Sequence, residues 1–315
     1  MRRLLLLACL AMGCNEPHPA DTSSFDTIDT LSLFEPGLIS DGFDNRDLAL
    51  SPDEQELFYT LQYENRKSII MHVVKNNNGW REPEIAWFSG TYKDLEATFS
   101  PDGNEIYFVS DRPVDSAADV ADYNIWRITK TAEGWSAPQP LDSSINTKKD
   151  EFYPSVALSG NLYFTRDNDT NLEDIWMAVR NGNSYRSVMP LGDFINSKGY
   201  DFNAFVDPEE EFILFSSYKR ADDMGNGDLY ICRKKQGEWQ AAIHLGNGIN
   251  SSAIDYCPFV SPDGRFFFFT SARSGENPSV DSPRTKTALY RILNAGGGGS
   301  DDIYRMPAGE LEKFY

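Results

Sequence analysis

The sequence predicts an all-β protein, a β-propeller of five four-stranded antiparallel blades. The first observation is a recurring Ser-Pro-Asp-Gly turn followed by a run of aromatic and β-branched residues. Clear copies of this turn lie at residues 100–103 and 261–264, and degenerate copies begin at Ser51, Ser159 and Asp207. The second observation is the period, because the aromatic runs end 49, 56, 51 and 54 residues apart. That spacing is typical of one four-stranded propeller blade.

Each repeat has the same order of predicted elements. A short strand A leads into the Ser-Pro-Asp-Gly turn, in which Pro presets φ and Asp-Gly permits a tight reversal. Strand B is the aromatic run, and a polar, acidic loop follows it. Strand C opens with sequences such as Asn124-Ile125-Trp126, and a Gly- or Asn-containing turn leads into strand D.

The ring needs a closing strand, because the last repeat has strands A, B and C but only a short tail. Residues 33–39 resemble the ends of the strand D segments, although they precede the first strand A. We therefore expect an N-terminal strand to complete the last blade. Six blades are the alternative, and they would require a repeat that the sequence does not show. The glycine-rich run at residues 296–300, natural or an engineered linker, is predicted to be a flexible surface stretch between strands B and C of the last blade.

The N-terminus has the pattern of an export signal. Arg2 and Arg3 precede a short apolar stretch at residues 4–10, and Gly13-Cys14 follows. This arrangement resembles the lipobox of bacterial lipoproteins, which implies a signal peptide at residues 1–13 and lipidation of Cys14; cleavage without lipid is the alternative. The polar residues 14–30 are predicted to be a flexible tether, and residues 31–315 the propeller domain.

Composition excludes one class of partner. The formal net charge is −19, and no basic patch interrupts it. A face that binds nucleic acid needs such a patch, so we expect no nucleic-acid partner and membrane contact only through the lipid.

Export permits a disulfide, but Cys232 and Cys257 are predicted to lie on neighbouring blades beyond disulfide reach, as buried free thiols.

A ring of carboxylates is predicted at one mouth of the central channel, where every strand A begins. The candidate ligand-binding carboxylates, one in each repeat, are Asp44, Asp94, Glu151, Asp201 and Asp255. Strand B ends on the same face, and its candidate cations are Arg112, Arg166, Lys219 and Arg273, with Arg66 the nearest candidate in the first repeat. Either these pairs join neighbouring blades, or part of the ring binds a metal, a cationic group or a sugar.

Other residues on this face have two open interpretations. Tyr123, Tyr153, Tyr200 and Tyr256 either stack on a ligand or pack between blades. The loop 167–174 has the alternating oxygen ligands of a calcium loop but lacks its glycine and distal glutamate, so a solvated acidic loop is the main interpretation and calcium the minor one. No other cofactor and no structural metal are expected. The three histidines have no catalytic or zinc-binding context.

The turn motif, the Ser110-Asp111-Arg112 exit from strand B and the Asp-Ile-Tyr/Trp entries to strand C resemble the TolB-type, WD-like β-propeller repeats of bacterial envelope proteins. This resemblance covers about residues 33–306 and implies the fold. Together with the lipobox-like N-terminus, it implies a lipid-anchored module of the bacterial envelope, facing the periplasm or the cell surface, that binds a protein partner or a glycan. The alternative function is a glycosidase-like enzyme that uses carboxylates at the channel mouth. An enzymatic role therefore stays open, with binding the main interpretation.

Overall fold

Each predicted repeat forms one small antiparallel sheet in the computed structural model, which describes residues 30–64, 67–114, 122–170, 172–274 and 296–314. The predicted signal peptide, Cys14, Arg66 and all of the tether except its last residue lie outside these ranges. Five such sheets stand around a central channel, so the all-β, five-bladed propeller is confirmed. Among the described residues, no helix is long and apolar enough to cross a membrane.

The strands of the first three blades follow the chain. Blade 1 contains β2 (Asp44–Leu50), β3 (Glu56–Tyr63), β4 (Lys67–Asn76), β5 (Gly79–Trp80) and β6 (Glu84–Ile85). Blade 2 contains β7 (Asp94–Phe99), β8 (Glu105–Ser110), β9 (Asn124–Thr131), β10 (Gly134–Trp135) and β11 (Gln139–Pro140). Blade 3 contains β12 (Glu151–Val156), β13 (Leu162–Asp167), β14 (Glu173–Asn181) and β15 (Ser184–Pro190).

Blades 4 and 5 differ from each other in the origin of their outer strand, which in blade 5 comes from the N-terminus. Blade 4 contains β16 (Tyr200–Val206), β17 (Phe212–Tyr218), β18 (Asp228–Lys235), β19 (Glu238–Trp239) and β20 (Ile243–His244). Blade 5 contains β21 (Asp255–Val260), β22 (Phe266–Ser271), β23 (Asp302–Pro307) and, from the N-terminus, β1 (Ser32–Leu33). A 3₁₀ helix (Ala308–Phe314) ends the described chain. In blades 1, 2 and 4 the outer strand is split into two short segments that both pair with the same strand C.

The N-terminal strand closes the ring as predicted. In β1, Ser32 pairs with Arg305 and Leu33 with Tyr304, both antiparallel, and the Phe34 N–H donates to the Ile303 carbonyl at 2.8 Å. Strands from the two ends of the domain therefore share one sheet, which prevents the ring from opening at its first and last blades.

The Ser-Pro-Asp-Gly turns owe their repetition to one hydrogen-bond pattern. Ser100 Oγ donates to Asp102 Oδ1 at 2.6 Å and accepts from the Glu105 N–H at 2.9 Å. Gly103 takes a left-handed φ of 68°, which a side chain would disfavour. Ser51 and Ser261 repeat the bond to an aspartate two residues later. The motif therefore builds the A–B turns, on the face opposite the strand A starts.

Among the described residues, five of the six hydrophobic clusters each lie between two neighbouring blades, and the small sixth cluster lies at the channel. Phe58 and Ile70 of blade 1, for example, pack with Phe108 and Trp126 of blade 2. The cluster between blades 5 and 1 contains Phe268 and the N-terminal segment's Phe34. Since each blade buries both faces in this way, no blade has a core of its own.

Two smaller predictions have mixed outcomes. Cys232 and Cys257 are buried and free, as expected. The glycine-rich run is not wholly a flexible surface stretch, because Gly297 is buried and its N–H donates to Asp302 Oδ2 at 2.5 Å. A Cβ atom on Gly296 would lie 2.8 Å from the Ser40 carbonyl oxygen, so the start of the run packs closely against the N-terminal segment.

Candidate functional site

Four of the predicted ring carboxylates occupy equivalent positions at the start of strand A, and all four side chains are fully buried: Asp94, Glu151, Asp201 and Asp255. In blade 5, Asp255 Oδ2 accepts the Ser251 N–H at 2.6 Å, and its Oδ1 accepts Ser271 Oγ at 2.5 Å. Blades 2 and 4 repeat the strand B serine, as Ser110 and Ser217. Each carboxylate therefore joins strand A to the preceding loop and, in these three blades, to strand B of its own blade.

The arginines complete this arrangement. Arg112 Nη2 lies 2.7 Å from Asp94 Oδ1, Arg166 Nε lies 3.0 Å from Glu151 Oε1, and Arg273 Nη2 lies 2.5 Å from Asp255 Oδ1. The same guanidinium groups donate to carbonyls of the loop before strand A, for example Arg112 Nη2 to the Phe88 oxygen at 2.9 Å. Burial raises the pKa of Glu151 to about 7, against the lowering effect of the Thr147 hydrogen bonds and of Arg166. Ligand binding by these groups stays a prediction, and the contacts favour the structural interpretation.

Two residue assignments in this ring are wrong. Lys219 does not pair with Asp201; Arg220 does, at 2.7 Å. Lys219 has a left-handed φ of 72°, so this strand exit carries one extra residue and the cation falls one place later. Asp44 is exposed, and its Oδ1 accepts the Asp301 N–H at 3.3 Å.

The position of blade 1 equivalent to the four carboxylates is held by an amide. Asn45 precedes the strand irregularity by the same number of residues as Asp94 does, and its Nδ2 donates to Asp41 Oδ1 at 2.8 Å. Sequence reasoning placed the repeat one residue too early here because Asp44 and Asn45 are adjacent and both polar. The ring therefore contains four carboxylates and one amide.

A second ring, which sequence reasoning missed, lies two residues further along each strand A. One residue in every blade has a left-handed φ between 47° and 63°, at the irregularity in the A–B ladder: Asp47, Glu96, Tyr153, Asn203 and Cys257. A bulge of this kind bends the strand and turns its side chain away from the regular alternation. A sequence signal existed, since in four blades this residue immediately precedes the Ala or Pro inside strand A.

These side chains and Arg46, together called the central cluster, form one network. Arg46 Nε lies 2.8 Å from Asp47 Oδ1, and its Nη2 lies 2.8 Å from Glu96 Oε1. Cys257 Sγ donates to Asp47 Oδ1 at 2.6 Å, and the Tyr153 N–H donates to Glu96 Oε2 at 2.6 Å. Two carboxylates, exposed by only 2% and 4%, thus share one guanidinium.

The electrostatics of the central cluster follow from its burial. Burial and the charge of Asp47 raise the pKa of Glu96 to about 8, despite the opposing charge of Arg46. Burial lowers the pKa of Arg46, but the charges of Asp47 and its other neighbours raise it by more, so the guanidinium stays protonated. Burial and Asp47 also hold the pKa of the Cys257 thiol well above its usual value. This thiol is therefore not a reactive nucleophile.

The cluster is tied to the blades by hydroxyl groups from the preceding strand B. The Glu96, Asn203 and Asp47 N–H groups donate to Thr60, Thr165 and Thr270 Oγ1 at 2.9, 3.0 and 3.3 Å. In blade 2 the equivalent residue is Val109, which has no hydroxyl group. There the Glu96 carboxylate accepts the Tyr153 N–H of blade 3 instead. Blade-to-blade contact at the channel is thus polar and specific.

The tyrosines of this face are mostly part of the packing. Tyr153 and Tyr256 are buried; Tyr153 Oη donates to the Pro258 carbonyl at 3.0 Å, and Tyr256 Oη donates to Asp301 Oδ2 at 2.5 Å. Tyr123 and Tyr200 are half-buried, with Tyr123 against Phe152 at a ring distance of 5.1 Å. The interpretation as stacking platforms is therefore wrong for Tyr153 and Tyr256.

Polar side chains of the acidic loop bond to groups of the same loop and to Lys149. Asn168 Oδ1 accepts from the Thr170 N–H and the Leu172 N–H, and Lys149 Nζ lies 2.6 Å from Asp169 Oδ1. No group of three or more His, Cys, Asp or Glu side chains within the described ranges is arranged to hold a metal ion. Close by, burial and the charge of Asp167 raise the pKa of Glu173 to about 7.

The channel is narrow at the central cluster and wide on the turn face. Beside Asp47 and Glu96 lies a void of about 20 Å³, which Phe205 and Phe259 also line. These two rings meet edge to face at 5.5 Å. On the A–B turn face, the same two residues line a cavity of about 540 Å³. This cavity therefore lies on the face opposite the strand A starts, where the candidate site residues were predicted.

The fold and this internal network define a five-bladed propeller with a polar cluster at its channel. Among solved structures, the chain is similar to a protein described as a TolB from Agrobacterium tumefaciens, with a TM-score of 0.50 and 15% identity over 84% of this chain and 90% of that one. It is also similar to TolB from Acinetobacter baumannii, with a TM-score of 0.48 and 13% identity, covering 84% of this chain and 54% of that one. A thermostable family-43 glycoside hydrolase has a TM-score of 0.49 and 11% identity, with coverage of 84% and 89%.

The first similarity confirms the TolB-like propeller that the repeats predict; at this identity it concerns the fold alone. No family model matches the sequence. No curated protein matches it either.

Proposed function

We propose that this protein is a binding module of the bacterial envelope that recognises a protein partner, and that a lipid on Cys14 holds it at the membrane. The observation that carries the binding role is the solvent-accessible cavity of about 540 Å³ at one end of the channel. Its volume lies within the range of ligand-binding sites. By contrast, the repeated carboxylate–arginine pairs on the other face are engaged with each other and with the backbone.

The glycosidase alternative needs carboxylates that can reach a sugar ring. Asp94, Glu151, Asp201 and Asp255 have no accessible surface, and Asp47 and Glu96 share Arg46. This arrangement supports binding over hydrolysis. The two functions are separated by incubating the purified protein with a panel of envelope and plant polysaccharides and measuring released sugars. Release at a rate above that of a heat-denatured control would favour the enzyme.

The envelope location rests on the N-terminal pattern of Arg2, Arg3, an apolar stretch and Cys14. Cells grown with an alkyne-labelled fatty acid should yield labelled protein in the membrane fraction. Cys14→Ser should lose both the label and the membrane association, whereas Cys232→Ala should keep both. Label on the Cys14→Ser variant, or none on the wild type, would contradict lipidation at this residue.

Partner binding is tested by photo-crosslinking in intact cells. Cross-linking residues on the A–B turn face and on the opposite face should capture a discrete envelope protein from one face only. A glycan adduct in place of a protein, or no adduct from either face, would contradict the proposed function.

A further inference from the structure

The cavity on the turn face is built by all five blades. Each strand A contributes a residue to its wall, from Leu50 in blade 1 to Val260 in blade 5. Phe205 and Phe259 lie where it meets the narrower part of the channel, and Leu311 of the 3₁₀ helix lines one side. Prolines of the A–B turns contribute further carbon surface. A large apolar side chain would find a preformed pocket with apolar wall segments here.

A groove continues outward from the cavity between blades 2 and 3. Its volume is about 310 Å³, and it shares Ser100, Pro101, Val156 and Leu158 with the cavity. Leu158, which lies where the two meet, is 56% exposed. The groove wall is otherwise more polar, with Thr129 among its residues, and offers hydrogen-bonding groups to a main chain. Cavity and groove together suit an elongated ligand with one apolar anchor.

The charge at the cavity is negative. Among the described lining residues, Asp207, Glu209 and Glu312 carry negative charge, against one cation, Arg233. Glu209 and Glu312 are exposed, and within the described ranges neither carboxylate makes a hydrogen bond or an ion pair. Asp207 accepts the backbone N–H groups of Glu209 and Glu211. A ligand with positive charge beside its apolar anchor complements this rim.

We propose that this face binds an extended polypeptide segment, which inserts one large apolar side chain into the cavity and sets lysine or arginine side chains against Glu209 and Glu312. The inference rests on the proposed function, binding of a protein partner, and adds its location and its chemistry. An extended chain fits better than a compact small molecule because the groove prolongs the cavity in one direction.

The test uses the full-length chain with Cys14→Ser, which needs no detergent, and a phage-displayed library of random linear dodecapeptides. Enriched peptides should carry an aromatic or large aliphatic residue with Lys or Arg within two or three positions. Fluorescence anisotropy of an enriched, labelled peptide should show Kd at least tenfold weaker for Leu158→Glu and for the Glu209→Lys/Glu312→Lys pair. The matched control is the Glu133→Lys/Glu238→Lys pair, which makes the same charge change at exposed residues in or next to C–D turns and should bind like the wild type. Circular dichroism and melting curves confirm that each variant is folded.

Three outcomes would overturn the proposal: no enriched peptide, enrichment of acidic or glycan-mimicking peptides, or binding that the cavity variants leave unchanged. The same variants separate it from the proposed function in intact cells. If Leu158→Glu still captures the envelope protein that the wild type captures, partner binding stands and the cavity is not its site. If the wild type captures no envelope protein at all, the proposed function fails, whatever the peptides do.

Discussion

Replacing Arg46 by methionine should destabilise the propeller severely, because it leaves the buried Asp47 carboxylate, and at high pH that of Glu96 as well, without its cation. Asp47 and Glu96 each lie 2.8 Å from the guanidinium and are almost fully buried. Breaking a buried pair by removing one partner costs about 3–5 kcal/mol. With about 2.1 cal/mol/K of unfolding entropy per residue, a domain of about 285 residues loses about 1.7 °C of Tm per kcal/mol. We therefore expect Arg46→Met to lower Tm by about 5–8 °C.

The loss should also depend on pH. The pKa of Glu96 is already raised to about 8 by burial and Asp47, and removal of Arg46 raises it further. A carboxyl group whose pKa is higher in the folded protein stabilises it at low pH and loses that contribution as pH rises through the folded-state pKa. Arg46→Met should therefore be closest to the wild type near pH 6 and furthest from it near pH 9.

The assay is thermal unfolding followed by circular dichroism at both pH values. The matched control is the triple variant Arg46→Met/Asp47→Asn/Glu96→Gln, which removes all three charges together. Because neutral amides have a much smaller burial cost than unpaired carboxylates, the triple variant should recover most of the lost Tm. Asparagine at position 47 also tolerates the left-handed φ of 63°. A loss below about 2 °C at pH 9, or no recovery in the triple variant, would refute this account of the central cluster.

Three further predictions concern the ring and its closure. Glu173→Gln should remove a pH dependence of the free energy of unfolding. Because the folded-state pKa of Glu173 is about 7, the wild type should lose up to about 3 kcal/mol of stability relative to the variant as pH rises from 5 to 8. Equal pH profiles of the two proteins in urea unfolding would contradict this prediction. Thr165→Val should cost about 1–3 kcal/mol by orphaning the buried Asn203 N–H, whereas Thr165→Ser should cost less; equal urea midpoints for the two variants would show that the hydroxyl is unimportant. Deletion of residues 1–33 should lower Tm and promote self-association through the exposed edge of β23, whereas deletion of residues 1–29 should do neither; size-exclusion chromatography and melting curves compare the two.

The sequence was informative where the chemistry is local or repeated. The Ser-Pro-Asp-Gly turns set the period because each is a self-contained pattern of hydrogen bonds around a serine, an aspartate and a left-handed glycine. The incomplete last repeat likewise pointed to the N-terminal strand. The carboxylates that repeat in four of the five blades, such as Asp94 and Asp255, do lie at the start of strand A, as predicted.

Errors arose where one residue of register decides the outcome. Lys219 and Arg220 are adjacent, as are Asp44 and Asn45, and in each case the sequence alone favoured the wrong member. A bulge or an extra loop residue shifts such positions without leaving a distinct composition signal. The buried tyrosines illustrate the same limit, since exposure of Tyr153 and Tyr256 depends on the neighbouring blades.

The amino-acid sequence by itself determined the class of fold, the number of blades and the strand that closes the ring, because turns and strand periodicity are properties of neighbouring residues. Only the tertiary structure revealed the central cluster and the cavity on the turn face. Both are assembled from residues of all five blades, which are far apart in the sequence, and their burial, charge and shape exist only once the ring has closed. The Ser-Pro-Asp-Gly turns therefore both set the blade period and line the surface where binding is proposed.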